Sequence, residues 1–293
     1  MTFVTRQRRS IPGILAMLLL LLANPTRATE ETGSPKISIG EKGLRVQTAD
    51  GRFKFKIGGR LHADASVHAG DTPGTESDGT NRDATDGTEI RRARFLLKST
   101  LYEDWSWTGE VDFEGNKVAI KDFDVAYRGL EGTKITLGHQ KQPYSLDVEM
   151  SSNDIPFIER GIDVDLIVPV IDRAIGIRGD LHGEKWFVAA GFYGDGAASG
   201  DRNTSEGWGA AARAIVTPIQ KEDQVLHLGF RGAIRRPESG NESLRFRAET
   251  THMSDYFAVD TGSMIQNIQE VILYGPEAAF AWGPFSIFGE YNR

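Results

Sequence analysis

The sequence predicts an all-β protein, an antiparallel transmembrane β-barrel, on three observations. Strict alternation of apolar and polar residues recurs along the chain, and its longest run is RFKFKIGGRLHADASVH at 52–68. Alternation at period two is the mark of a strand with two different environments. The run exceeds both an ordinary strand of about six residues and the roughly nine to eleven residues a tilted strand needs to cross a bilayer. Second, the connections alternate between long polar segments and very short turns, as in membrane barrels with long outer loops. Third, Tyr102, Trp105 and Trp107 bracket one short turn and Tyr127 approaches another, the placement of interfacial aromatic girdles. A soluble sandwich with one face in a core uses the same alternation, and the pattern alone leaves that alternative open.

The elements follow in order. Residues 1–28 read as a secretory signal peptide: Arg6, Arg8 and Arg9 precede the apolar stretch Ile11–Ala23, and Thr26-Arg27-Ala28 offers a cleavage site. That stretch is too short to span as a helix. Removing residues 1–28 leaves 30 Lys and Arg against 41 Asp and Glu, a net charge of −11. Such an acidic total argues against nucleic acid as a partner. Residues 29–50 are a polar lead-in, flexible or a short first pairing segment, and 51–293 carry the barrel. After the 52–68 strand comes a loop almost free of apolar side chains, 70–89. IRRARFLLKSTLY (90–102) alternates again, Glu103-Asp104 makes a short turn, and WSWTGEVDF (105–113) alternates cleanly. In KVAIKDFDVAYR (117–128) the parity slips near Lys121, which predicts a bulge. TKITLGHQ follows, then strands over 173–182, 184–193, 206–217, 222–234, 270–281 and 285–291, with an irregular stretch at 237–267 that reads as a long loop with a strand inside it. The count is ten or eleven strands. Glycine, 33 of 293 residues against a usual share of about 7%, suits turns and tight corners.

One segment does not alternate: GHQKQPYSLDVEMSSNDIPFIERG at 138–161. GHQKQPYSL followed by SSNDIPFIER resembles the signature of the phosphate-selective porins O and P of Gram-negative outer membranes. DGRFKFKIGGRLHADAS (50–66), IRRARFLLKSTLYEDWSW (90–107), RRPE (235–238), VDTG (259–262) and YGPEAAFAWGPFSIFGEY (274–291) fit the same resemblance in order. It implies a sixteen-stranded barrel, usually a homotrimer, set in lipid and lipopolysaccharide of the outer membrane. It implies an outside loop, around 139–172, folded into the lumen. It implies passive diffusion of anions such as phosphate or polyphosphate past arginines and lysines, with no cofactor. Because the chain ends at Arg293 inside an alternating run, with too few strands for sixteen, it reads as part of a longer protein. An unclosed sheet in lipid would leave unsatisfied backbone groups at its edge.

The strand parity selects the pore candidates. With Phe53, Phe55, Ile57 and Leu61 toward lipid, Lys54, Lys56 and Arg60 face the lumen, joined by Arg92, Arg94 and Lys98 on the next long strand. Arg91 falls on the lipid parity near a loop end, where it can snorkel. Columns of Arg and Lys supply the charge-assisted contacts an anion path needs. Lys141 either lines the constriction or pins the loop to the wall. Asp112, Ser145, Glu159 and Arg160 are candidate loop anchors, the last two read as a structural pair. Glu110, Asp112, Asp122 and Asp124 also fall on the lumen parity, so a general porin with a transverse field is the alternative.

Other chemistries find less support. The chain has no cysteine, which excludes disulfides, thiol catalysis and Cys-based metal sites. A hydrolase would rest on His139, Ser145 and Asn153, without a GxSxG motif; there is no HExxH either. The Gly-rich run at 191–200 lacks a Lys-Ser/Thr ending and reads as a loop, and Asp71, Asp78, Asp83 and Asp86 fit no EF-hand spacing. A barrel acting as an adhesin or receptor through its loops is a third class.

Overall fold

Alternation as long as that of residues 52–68 satisfies its backbone by pairing with another long strand, and Gly87–Leu101 pairs with it from Phe53 to Ser66. The computed structural model describes residues 33–40, 43–69, 86–197, 205–238, 242–249, 252 and 257–293. The signal segment 1–28, Asp71, Asp78 and Asp83 lie outside the described residues. The strands are β1 (Lys36–Gly40), β2 (Gly43–Gln47), β3 (Phe53–Ser66), β4 (Gly87–Leu101), β5 (Trp105–Asp112), β6 (Ala119–Tyr127) and β7 (Thr133–Lys141). They continue as β8 (Arg173–His182), β9 (Trp186–Tyr193), β10 (Trp208–Gln220), β11 (Gln224–Arg236), β12 (Arg247–Glu249), β13 (Phe257–Asp260), β14 (Val271–Trp282) and β15 (Phe285–Glu290). Thirteen of them form one antiparallel meander, β1 through β11 followed by β14 and β15, while β12 and β13 pair separately.

The count of ten or eleven was too low. KISIG and GLRVQ, inside the polar lead-in, form a five-residue hairpin that joins the sheet through β2 and β3; alternation over five residues is too brief to distinguish from chance. β7 also runs further than expected. His139 and Lys141 pair with Ile175 and Arg173, so the connecting segment starts at Gln142 rather than 139.

The two faces of the sheet settle the choice the alternation left open. Leu61, Ile177 and Phe230 are 69%, 48% and 57% exposed, whereas Arg92, Asp112, Arg178, Arg213 and Glu277 on the opposite parity are buried. A soluble sandwich would bury the apolar face. This sheet exposes it and covers the polar one, the inside-out arrangement of a barrel wall in lipid. Among the described residues no helix is long and apolar enough to cross a membrane. Short turns join β4 to β5, β6 to β7, β8 to β9, β10 to β11 and β14 to β15, and the longer connections lie at the other ends. In the first of these turns Tyr102 and Glu103 take φ of 53° and 67°, consecutive left-handed residues whose twist matches antiparallel strands.

Two register shifts matter. One falls between Gly109 and Val111 opposite Phe123 and Ile120, which is the bulge at Lys121. The other falls at Arg91, between the pairs His62↔Arg92 and Ala63↔Ile90. It leaves Arg91 as the extra residue and turns its side chain toward the polar face. Arg91 therefore does not snorkel on the lipid side: Nε donates to Glu159 at 2.6 Å and Nη1 to Glu114 at 3.1 Å.

The segment 142–172, which contains the short helices α1 (Leu146–Glu149) and α2 (Ile162–Ile167), packs on the polar face. Its Tyr144, Val148, Val164, Ile167, Val170 and Ile171 cluster with Ala174, Tyr193, Ala211 and Ala233 of the wall. The core of the protein is this interface, and the small wall residues leave the depth that the segment fills. Glycine serves the same end: a Cβ at Gly191 would stand 2.3 Å from the Tyr193 hydroxyl, and one at Gly176 2.5 Å from its ring.

Candidate functional site

The register of β3 and β4 places like charges directly opposite one another, Lys56 facing Lys98 and Arg60 facing Arg94, and sets His62 opposite Arg92. Such pairs destabilise a sheet unless neighbouring acids or ligands compensate. The next strand supplies the acids. Arg94 Nε donates to Asp112 at 2.6 Å and Nη1 to Glu110 at 3.2 Å, and Arg60 Nη2 lies 3.5 Å from the same Glu110 carboxylate. Arg173, at the start of β8, donates to Asp122 at 2.8 Å.

The inward segment meets this wall through polar contacts. Arg60 Nη1 donates to Ser152 Oγ at 2.7 Å, and Arg92 Nη2 to Glu159 at 2.8 Å. Lys141 Nζ donates to the carbonyls of Val148 (2.6 Å), Met150 (3.2 Å) and Glu149 (3.3 Å) at the C-terminal end of α1, where a cation suits the exposed carbonyls. Burial disfavours charge on Glu159, but the hydrogen bond from Arg92 and the charges of Arg91 and Arg92 outweigh it and hold its carboxyl below the usual range. On the far side Ser145 Oγ and Asp147 N donate to Glu290 at 3.1 and 2.7 Å, Tyr144 Oη donates to Asn292 at 3.1 Å, and Asn292 Nδ2 donates to Asp163 at 3.1 Å.

Between wall and segment lies a cavity of about 300 Å³. Six cationic side chains line it, Arg60, Arg94, Lys98, Lys141, Arg160 and Arg173, against four carboxylates, Glu110, Asp122, Glu149 and Asp172, a net charge of +2. Ser151 and Ser152 add hydroxyls. A small hydrated anion fits this volume and can exchange part of its water for guanidinium and hydroxyl donors. The interleaved carboxylates already occupy part of each guanidinium, which keeps any one contact weak.

The sequence candidates separate into three groups. Arg60, Arg94, Lys98 and Lys141 meet in the cavity. Arg92 is held in the wall by Glu159 and lies near His62 at 3.3 Å, while Lys54 is exposed and Lys56 partly so, farther along β3. Ser145 and Glu159 bridge segment and wall. Two expectations need correction. Asp112 is not a loop anchor: its partners are Arg94, Lys121 and the backbone N–H groups of Ala93 and Glu114, all outside the 142–172 segment. Glu159 and Arg160 hold different partners, because Arg160 turns back to Asp147 and to the Asp147 and Met150 carbonyls and so braces the segment on itself. The hydrolase pair does not form either: His139 Nδ1 donates to the Lys121 carbonyl at 2.6 Å while Ser145 bonds Glu290. Asp86 accepts from the His68 backbone.

A second charged cluster escaped the sequence reading. Arg213 donates bidentately to Glu277 at 2.6–3.1 Å, and His227 Nε2 lies 2.7 Å from the same carboxylate. Arg231, with a fully buried side chain, sits 3.4 Å from Glu277 and 2.8 Å from Glu290. Arg178 bridges Glu149 of α1 and Asp180 of β8. The signal was present: Arg213 is the one charged residue in its strand, and Arg178 and Arg231 fall on the same parity as Asp180 and as His227 and Arg235.

Comparison with known proteins bears on this geometry. The sequence profile of the family described as phosphate-selective porin O and P matches residues 55–293. Porin O of Pseudomonas aeruginosa is 26% identical, over 94% of this chain and 67% of that protein's length.

Proposed function

The chain belongs to the phosphate-selective porin O and P family, and on that premise we propose that it forms an outer-membrane channel through which anions diffuse passively, phosphate among them. The observation that carries the reading is the cavity of net charge +2 between the basic β3–β4 wall and the segment 142–172. Arg60, Arg94, Lys98 and Arg173 offer successive weak sites, so an ion can pass from one to the next without being trapped. The segment narrows the path and brings Lys141 and Arg160 to its other side. The exposed apolar face meets lipid and, in the outer leaflet, lipopolysaccharide. The protein reaches that membrane after export by residues 1–28 and works there as a homotrimer with no cofactor.

A general porin remains the second reading, favoured by one observation: Glu110 and Asp112 sit within hydrogen-bond reach of Arg94. Ion current through the reconstituted protein in potassium chloride, with phosphate titrated in, separates the two. The proposal predicts that low phosphate blocks the chloride current and that Arg94→Glu abolishes the block. A large ohmic conductance without block would leave only the general porin.

A further inference from the structure

A second cavity, of about 910 Å³, opens beside the first and has a different chemistry. It is built from the bulged end of β4, the α2 helix and its following Val168-Pro169, and the connection between β11 and β14 that carries β12 and β13. Ile162, Val168, Leu244, Phe257 and Met264 supply an apolar floor. Ile162 and Met264 are each 43% exposed. These side chains stand on the water side of the sheet, where exposed apolar surface has no lipid to cover it and marks a binding surface. Arg91, Arg160, Arg245 and Arg247 rim the floor, with Glu159, Asp165 and Glu249 between them. The Arg247 guanidinium lies 4.6 Å over the Phe257 ring, which joins a cation to the aromatic part of the floor. Arg160 and Val168 line both cavities, so a molecule held in the larger one is next to the basic constriction.

An inorganic anion gains nothing from apolar walls, and the volume is three times that of the constriction. Pockets of this size that combine an apolar floor with a few charged groups suit an organic molecule. Resting on the channel reading above, we propose that this vestibule binds organic anions, a phosphate headgroup against Arg160 and Arg247 and an aryl or alkyl body on Ile162, Phe257 and Met264. The site would concentrate organophosphates at the mouth of the pore and rank them above inorganic phosphate.

The test compares phenyl phosphate with inorganic phosphate as blockers of chloride current through the complete protein in a planar bilayer. Phenyl phosphate is expected to block at a concentration at least about fivefold lower, from the added apolar burial. Ile162→Ser and Met264→Ser, both at exposed positions, should each reduce that advantage while leaving block by inorganic phosphate unchanged. Equal block by the two anions in the native protein, or an advantage that survives both substitutions, overturns the proposal. Absence of block by either anion overturns the phosphate-selective reading and leaves the general porin, and this inference falls with it.

Discussion

Glu110 is the carboxylate whose removal speaks most directly to what the basic wall does. It is 5% exposed and lies 3.5 Å from Arg60 and 3.2 Å from Arg94. Glu110→Gln keeps its size and one acceptor oxygen and deletes one negative charge. Arg94 retains Asp112 at 2.6 Å and Arg60 retains Ser152 at 2.7 Å, so both guanidinium groups stay in place. The lining then changes from +2 to +3. Unit charges about 4 Å apart interact by about 1 kcal/mol in water and about 4 kcal/mol at an effective dielectric constant near 20. The cavity is open to water, so the lower part of that range applies, about 1–2 kcal/mol. That is a five- to thirtyfold gain in anion affinity. The assay is block of chloride current by phosphate, with Arg94→Gln as the opposing control, expected to weaken block. A block constant for Glu110→Gln within twofold of the native value, or higher, would refute the reasoning and reduce Arg60, Glu110 and Arg94 to wall structure.

Two further outcomes follow from the anchors of the inward segment. Glu290→Gln removes a charge beside the buried Arg231 and weakens the acceptor for Ser145 and Asp147; because Arg231 keeps Glu277 and Asn292, the loss is about 2 kcal/mol. It should lower the unfolding temperature in detergent and add noise to the open-channel current, and native stability with a quiet current would sink it. Glu159 has a depressed carboxyl pKa, so its contribution is fully present above the ordinary Glu value of about 4.3 and is lost as the pH falls through the lower folded value. Current noise should therefore stay constant from pH 7 to about 5 and rise only in stronger acid; Glu159→Gln should show the raised noise already at pH 7.

The strands from β3 to β11 and β14 to β15 were legible because their alternation is long. β1 and β2 were legible only as one of two readings of the lead-in, a short first pairing segment, and the β12–β13 pair only as a strand within the loop 237–267, since three to five residues carry no clear period. The candidate site was legible on β3 and β4, where cations crowd one parity: Arg60, Arg94 and Lys98 do converge. Arg173 was passed over because it falls on the same parity as Ile175, Ile177 and Leu181, and its role depends on Asp122 reaching it across a bulge. Asp112 was given to the loop because parity says which face a side chain occupies but not which neighbour it chooses. The Arg231–Glu277–Glu290 cluster joins β11, β14 and β15, and a pattern read strand by strand has no means of assembling it. Ala174, Ala211 and Ala233 carried the complementary signal: small residues on the polar parity mark where the segment 142–172 docks.

The reversal potential under a potassium chloride gradient tests the central claim most directly, with the protein expressed from its complete gene and inserted in a planar bilayer. A path lined by Arg60, Arg94, Lys98 and Arg173 predicts a potential on the chloride side, moving toward zero in Arg60→Glu and Arg94→Glu. A cation-selective or unselective potential in the native protein, unmoved by either reversal, would contradict it.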